Sequence, residues 1–317
     1  MFDASGMARR HNVTVIVTSS YSGLVHPSTA ILTEFVLSLR WLGLPRATPV
    51  LLAHDSPWFG PAFTANIPAT DAGEQFPSAY LEYLARVHHV LPRLRACSGL
   101  ALRSVLRMGR AGLSHNLALA VKMVRTPFLL KAEHDHLFVR RVPLLAILSD
   151  MRDDPRLKLV RFNRRRNVPI RCDRGDYAEE EHKAAARRVW ARHTPPLLTE
   201  LRCNYTRTPC FSDMNHVTRT VYYRNRVLPL IVREPDKMPE AVMQPRIMEE
   251  VRGYGTYLFG APNDAPCLVH ADASMHGHGE LVPAVTRWVR QQAVTKRFAV
   301  RRAHVCNSSF PREWNRS

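Results

Sequence analysis

Short apolar runs alternate with stripes of apolar residues at helical spacing along the first half of this chain. Val13 to Ser19 is a β-branched run that predicts a first strand. It closes on Thr18, Ser19, Ser20 and Tyr21, small polar residues suited to a ligand-facing loop. Pro27-Ser28 then opens a helix whose apolar face holds Ile31, Phe35, Leu39 and Leu42. Pro49 to Ala53 predicts a second strand, ending at His54-Asp55. Strand, helix and strand in this order form a right-handed parallel unit, the seed of an α/β sheet. Ligands of such sheets sit outside the carboxyl ends of the strands. Asp55 stands at such an end, where a carboxylate can bond a ribose hydroxyl or a base edge. It reads equally well as a turn residue before Ser56-Pro57.

The pattern continues with a helix over Gln75 to Leu91, carrying Tyr80, Leu84, Val87 and Leu91 on one face. A further helix is marked by Leu113, Leu117, Ala120 and Val124, with Gly112 and Ser114 as its start signal. Pro127 stops that helix and opens the apolar run Phe128 to Ala132, which ends abruptly in Glu133-His134-Asp135-His136. Burying an unpaired carboxylate is costly, so two of them at the tip of a core strand imply a use. Two residues apart in an extended strand, Glu133 and Asp135 share one side and can face one metal ion, or a metal and a sugar hydroxyl. On the same reasoning His134 and His136 point the other way or line the rim.

Downstream, a helix is expected over Leu144 to Met151 and a strand over Leu157 to Phe162. Asn163-Arg164-Arg165-Arg166-Asn167 is the densest basic cluster, a candidate phosphate cup that reads equally as a solvated loop. Asp176 to His193 predicts a charged surface helix. Phe211 to His216 is a dense polar group ahead of an apparent strand, Val217 to Tyr223. Cys267 to Asp272 is a short apolar run that ends in His270, Ala271 and Asp272.

The Gly-rich turn before Leu113, the helix, the strand and the acidic tip together resemble the central stretch of GT-A-fold nucleotide-sugar glycosyltransferases, in particular inverting family-2-like enzymes. The resemblance covers roughly residues 12 to 272. It implies a single α/β domain of GT-A type, with a mainly parallel central sheet and flanking helices. Residues 12–140 would form the nucleotide-sugar half, 141–280 the acceptor half and 281–317 a basic extension. In that family an acidic pair holds a divalent metal on the donor diphosphate, which here falls on Glu133 and Asp135, with Mn or Mg as the ion. A later histidine that serves the same metal corresponds to His270, and His276 and His278 follow it. Thr18, Ser19, Asp55, Gly112, Asn116 and Glu133 would line the donor. The family's catalytic base, an acidic residue six positions before an arginine and ahead of a Gly-bearing turn and strand, falls on Glu240. Arg246, Gly253-Tyr254-Gly255 and Thr256 to Phe259 supply the rest of that pattern, and Asp213, Glu249 and Glu250 are substitutes for the base. The reaction implied moves a sugar from a nucleotide-sugar donor to a hydroxyl of a glycan or glycoconjugate acceptor, as in polysaccharide biosynthesis.

Composition adjusts this picture little. Over 317 residues, 45 Lys+Arg face 27 Asp+Glu, a formal net charge of +18. That balance suits anionic partners: phosphorylated substrates, an anionic membrane face or nucleic acid. No zinc finger, RNA-recognition signature or basic-aromatic stripe accompanies it, so specific nucleic-acid binding ranks last. A metal-dependent phosphohydrolase built on Glu133, His134, Asp135, His136, His270 and Asp272 is the nearer rival. No apolar segment reaches the length of a membrane span, and the first twelve residues lack the apolar core of a signal peptide. The expectation is a cytoplasmic protein whose basic tail, Val285 to Ser317, is a candidate peripheral membrane contact. None of the six cysteines forms a CxxC pair. They are expected as dispersed free thiols, with Cys203 and Cys210 spaced for a local bridge.

Overall fold

The computed structural model describes residues 12–19, 29–54, 75–106, 113–167, 197–198, 200–208, 211–235, 237–250, 254 and 256–271. Asp55, Gly112, the expected helix over Asp176 to His193, Asp272, His276, His278 and the basic extension lie outside these residues.

A nine-stranded sheet forms the centre, in the order β3-β2-β1-β4-β9-β6-β10-β8-β7. Its strands are β1 (Val13–Ser19), β2 (Pro49–His54), β3 (Ala101–Val105), β4 (Phe128–Glu133), β6 (Leu159–Arg161), β7 (Leu197–Leu198), β8 (Tyr205–Arg207), β9 (His216–Arg219) and β10 (Thr256–Phe259). A separate antiparallel pair joins β5 (His136–Phe138) to β11 (Leu268–His270). β3, β2, β1 and β4 are mutually parallel. β9 is antiparallel to both β4 and β6, β10 is parallel to β6, and β8 is antiparallel to β10 and β7. Only β9 and β8 therefore run against the common direction, and the fold is α/β with a mainly parallel sheet. The sheet passes without a break from the expected donor half into the expected acceptor half.

Helices cover both faces. On one side lie α1 (Ala30–Ser38) and α2 (Gln75–Ser98). On the other lie α3 (Leu113–Met123), α5 (Leu228–Arg233) and α6 (Pro239–Glu249). α4 (Leu144–Asp153) packs with the α1/α2 layer. The period-2 alternation of the strands divides the core accordingly. Val13, Val15 and Val17 of β1, with Phe128, Leu130 and Ala132 of β4, meet Phe35, Leu39, Val87 and Leu94. Ile16 and Leu129 point the other way, toward Leu117, Val121, Tyr223, Ile231 and Met243. Burial on both faces is why these strands read as continuous apolar runs.

Two elements and the cysteines differ from expectation, and β3 had no expected counterpart. α2 runs on through Pro92 to Ser98 where Leu91 was the expected end. The strand expected over Val217 to Tyr223 stops at Arg219, because its partner β4 begins at Phe128, opposite Arg219, and offers no ladder beyond. The chain turns helical there, through Thr220–Tyr222 and a π-turn at Tyr223–Val227, which carries Tyr223 into the core. Among the cysteines, Cys203 and Cys267 are free and buried, so no Cys203–Cys210 bridge forms. Cys97 is disulfide-bonded, against the expected free thiol.

Candidate active site

The acidic tip does not continue as an extended strand. β4 ends at Glu133, His134 and Asp135 make a turn, and the chain re-enters a strand at His136. The turn is pinned where His134 N donates to Thr18 O (3.1 Å) and Ala271 N donates to Asp135 O (2.7 Å). Pairing of β5 with β11 sets His136 directly opposite His270. Their rings stack with centroids 4.6 Å apart, 8° from parallel. Asp135 Oδ2 lies 3.0 Å from His270 Nε2 and Oδ1 lies 3.2 Å from His136 Nδ1. The expectation that His136 points away is thereby corrected: the turn rotates the chain, and Asp135 groups with His136 and His270.

Glu133 takes a different place. Its Oε2 is 2.8 Å from His136 Nδ1 and its Oε1 is 3.2 Å from Lys131 Nζ. It links the imidazole at the tip to a buried ammonium behind it. Burial works against ionising Glu133, but Lys131 and His136 together outweigh it and hold the carboxyl well below its usual range. Asp135 is also held low: burial opposes its ionisation, and His136 with His270 and His134 outweigh that. Those two carboxylates push His136 up to about 9 in spite of its burial.

Asp135, His136 and His270 each offer a ligand atom, all within 4.8 Å of one another. His136 Nε2 is buried without a hydrogen-bond partner among the described residues. One carboxylate and two imidazoles suit a first-row divalent ion such as Mn, Co or Zn better than Mg, which prefers oxygen. Glu133 on Nδ1 is the outer partner that orients a ligating histidine. The residues present fit a divalent metal.

On the donor side, Thr18 Oγ1 donates to Ala132 O (3.2 Å), so the hydroxyl is tied to its own sheet. Ser19 Oγ bonds Tyr83 OH from α2. His54, at the tip of β2, places Nε2 3.3 Å from Ser104 Oγ, and its ring meets Tyr83 edge-on at 6.2 Å. Asn116 is buried in α3. Nothing in the sequence pattern had marked His54, Tyr83 or Ser104.

Asp213 and Glu240 meet on the opposite flank. Glu240, in the first turn of α6, accepts on Oε1 from Asp213 N (3.0 Å) and Ser212 Oγ (3.4 Å). Lys131 Nζ lies 2.9 Å from Asp213 Oδ1 and donates to Asp213 O. Asn215, from the polar group Phe211 to His216, staples the two halves of the tip: Glu133 N donates to its Oδ1 (2.9 Å) and its Nδ2 donates to His136 O (2.8 Å). Asp213 is almost fully buried, and Glu240 is half-buried, with its Oε2 buried. Glu240, Asp213, Lys131, Glu133 and His136 thus form one unbroken chain of contacts to the cluster of Asp135, His136 and His270.

The loop of Arg164, Arg165 and Arg166 is shaped by its flanking asparagines. Asn163 Nδ2 donates to Arg165 O (2.9 Å) and its Oδ1 accepts from Cys267 N (3.0 Å), while Asn167 Nδ2 donates to Phe259 O (2.8 Å). This anchors the turn that returns the chain from β10 to β11. Gly260 (φ +100°) sits in that turn, where a Cβ would meet Asp264 Oδ2 at 2.5 Å.

Two buried histidines make the fold acid-sensitive. Burial, with His134 second, lowers His54 to about 4. Burial, then Lys131, lowers His216 to about 3. The unfolded chain therefore binds protons that the folded chain does not, and stability falls as pH drops below about 6.5. Each group contributes a slope of up to about 1.4 kcal/mol per pH unit. Urea unfolding at about pH 7 and about pH 5 is expected to show a smaller loss for His54→Asn than for wild type. Equal losses would remove His54 from the account.

No protein-family model and no curated protein matches the chain. Solved structures similar to it include the mannosyltransferase PcManGT from Pyrobaculum calidifontis in complex with GDP-Man and Mn2+, at 16% identity and TM-score 0.39 over 90% of this chain and 62% of that one. S. aureus TarS 1-349 is similar at 14% identity and TM-score 0.40, over 89% of this chain and 64% of that one. A putative glucose-1-phosphate thymidylyltransferase from Bacillus anthracis, in complex with a sucrose, is similar at 10% identity and TM-score 0.44, over 90% of this chain and 97% of that one. This chain spans less than two thirds of the first two. Glycosyltransferases and nucleotidyltransferases are thus both among the folds it is similar to.

Proposed function

We propose that the chain is a glycosyltransferase that moves a sugar from a nucleotide-sugar donor to a hydroxyl of a glycan or glycoconjugate, with a divalent metal and with inversion. One observation carries the reading: the Asp135–His270 contact at 3.0 Å, made across 135 residues at the carboxyl end of β4 and tied through Lys131 to Glu240. Asp135, His136 and His270 would hold the metal. When bound, such an ion neutralises the charge that builds on the departing nucleoside diphosphate.

The chain's own groups do the remainder. Glu133 orients His136, and Asn215 fixes the turn between them. Thr18, Ser19 and His54 end neighbouring parallel strands, where the donor nucleotide would lie. Asp55 and Gly112 are proposed for the same donor edge on the resemblance alone. Glu240 is the proposed base: a sugar hydroxyl is a poor nucleophile, and a carboxylate within reach takes its proton as the new bond forms. The net charge of +18 draws an anionic donor toward the chain. No helix among the described residues is long and apolar enough to cross a membrane, and membrane contact is left to the basic extension.

A thermal-shift panel of UDP, GDP, dTDP and CMP, each with and without Mn(II), tests the reading. One nucleotide at about 100 times its Kd adds about 2.7 kcal/mol of stability. The rise is expected only with Mn(II), and Asp135→Ala is expected to abolish it. Stabilisation by Mn(II) alone, with no nucleotide effect, would redirect the site to metal-dependent phosphoester hydrolysis.

A further inference from the structure

The basic loop after β6 takes no part in the cluster of Asp135, His136 and His270, and the fold sets it against a second basic segment. Arg140 and Arg141 follow β5, while Arg164, Arg165 and Arg166 follow β6. Both segments close on the turn that joins β10 to β11. Arg140 Nε donates to Pro266 O (3.0 Å) and its Nη2 donates to Ala265 O (2.7 Å). Arg166 Nη1 donates to Asn263 O (3.1 Å), and Asn263 N donates to Asn167 O (2.6 Å). Asn263 and Ala265 are two residues apart, so their Cα atoms are at most about 7 Å from each other. The two guanidinium groups are therefore held on one short turn.

These bonds fix the arginines without neutralising them. A peptide carbonyl takes up an N–H direction but carries no net charge. Of the five N–H donors of a guanidinium, Arg140 spends two and Arg166 one. Among the described residues neither forms an ion pair, nor does the exposed Arg141. Asp264 is the one acid in the turn, and it accepts from Ala261 N (2.9 Å), facing its own backbone. Forked donors held in this way suit a phosphate or a carboxylate, which they can meet with parallel charge-assisted bonds. The location is as informative as the charge. Val139 N donates to Cys267 O (2.9 Å), so β5 and β11 form a short ribbon with His136 and His270 at one end and Arg140 at the other. The four residues between His136 and Arg140 span about 13 Å when extended. In the sheet, β6 lies beyond β9 from β4, on the side away from β1 and β2. The donor edge and the basic turn thus flank the metal-ligand cluster from opposite sides.

We propose that Arg140, Arg141 and Arg166 form a subsite for an oxyanion on the acceptor, so that the acceptor is an acidic glycan bearing phosphate or carboxylate groups. The role in transfer rests on the glycosyltransferase reading; the oxyanion site rests on the arginines alone. The subsite is about 13 Å along the ribbon from the metal-ligand cluster, so it holds a group remote from the reacting hydroxyl. Binding energy from such a remote group positions the hydroxyl without taking part in the chemistry. The donor diphosphate belongs on the other side of the cluster and does not compete for these arginines.

The test titrates the whole chain by calorimetry, without donor or metal, at about 0.15 M salt so that diffuse attraction is screened. The probes are hexagalacturonate, oligo(glycerol phosphate), maltohexaose and a short thymidine oligonucleotide. One of the two acidic glycan probes is expected to bind about tenfold or more tighter than maltohexaose. Which of them does so tells carboxylate from phosphate. Arg140→Gln with Arg166→Gln is expected to weaken that binding by about tenfold. Arg103→Gln with Lys122→Gln removes the same charge from exposed positions elsewhere and is expected to leave it unchanged. Arg141→Gln, which breaks no bond of the turn, is expected to weaken binding in the same direction and covers the case in which the double variant does not fold. Equal weakening by both double variants would mean that overall charge draws the probes, and would overturn the subsite. Binding of maltohexaose as tight as the acidic probes, no binding of either acidic probe, or tighter binding of the oligonucleotide would overturn it too. The nucleotide thermal shift with Mn(II) is expected to survive in Arg140→Gln/Arg166→Gln; its loss there alone would move the arginines to the donor. Absence of that shift in wild type would instead sink the glycosyltransferase reading, and the titrations would still decide the oxyanion site.

Discussion

Replacing Lys131 with methionine is expected to lower the unfolding free energy by about 3–5 kcal/mol and the melting temperature by on the order of 10 °C. The Lys131 side chain is fully buried, with Asp213 Oδ1 at 2.9 Å and Glu133 Oε1 at 3.2 Å. Methionine fills much of the stem's volume, yet it leaves two carboxylates facing each other without a counter-charge. Burial alone would pull the ammonium's pKa down. Asp213 and Glu133 outweigh that and hold it above the ordinary lysine value, so the ammonium is charged throughout the neutral range. The loss should be greatest above about pH 7, where Asp213 ionises, and smaller toward pH 5, where protonation removes the uncompensated charge. Lys131→Met with Asp213→Asn should recover part of it, because removing both partners costs less than removing one. Urea denaturation of the four proteins in this cycle measures the coupling. A single-variant loss below about 1 kcal/mol would show that the ion pair contributes no more than a surface one.

Glu240→Gln is expected to reduce turnover by about 10²–10⁴-fold while leaving metal-dependent nucleotide binding unchanged. The amide keeps an acceptor oxygen for Asp213 N and Ser212 Oγ, so the loop from Phe211 to Asp213 should hold its shape. It cannot take a proton from a hydroxyl. Nucleotide thermal shift and turnover measured on the same preparation separate these effects. Loss of both together would mean that Glu240 acts by holding the fold. In Asp135→Ala the order reverses: the metal-dependent nucleotide shift disappears first, because Asp135 lies in the cluster with His136 and His270.

β1, β2, β4 and the helices before the acidic tip were legible because each is specified locally, while β3, with its mixed burial, was not. β1, β2 and β4 are apolar on both faces, and the stripes of α1 and α3 recur at helical spacing. The end of β9 was not legible, since it depends on where β4 begins, an opposing strand nearly ninety residues earlier. Nor was the role of His136. Period-2 reasoning assumes an extended chain, and the turn at His134-Asp135 is held by hydrogen bonds to Thr18 and Ala271, far away in sequence.

By itself, the sequence determined the α/β class, the acidic tip at the end of a core strand, and the short list containing Asp135, Glu240, Asp213 and His270. The class and the tip follow from spacing along one segment and from the cost of placing charge beside a core, whereas Glu240, Asp213 and His270 entered through the family resemblance. Only the tertiary structure decided which of these side chains meet. The Asp135–His270 contact, the Lys131 ion pairs, the Asn215 staple and the grouping of His216 with Tyr223 all join residues on different elements. Such contacts form when the sheet brings strand ends together, and a buried charge is matched by whichever partner the fold places within reach.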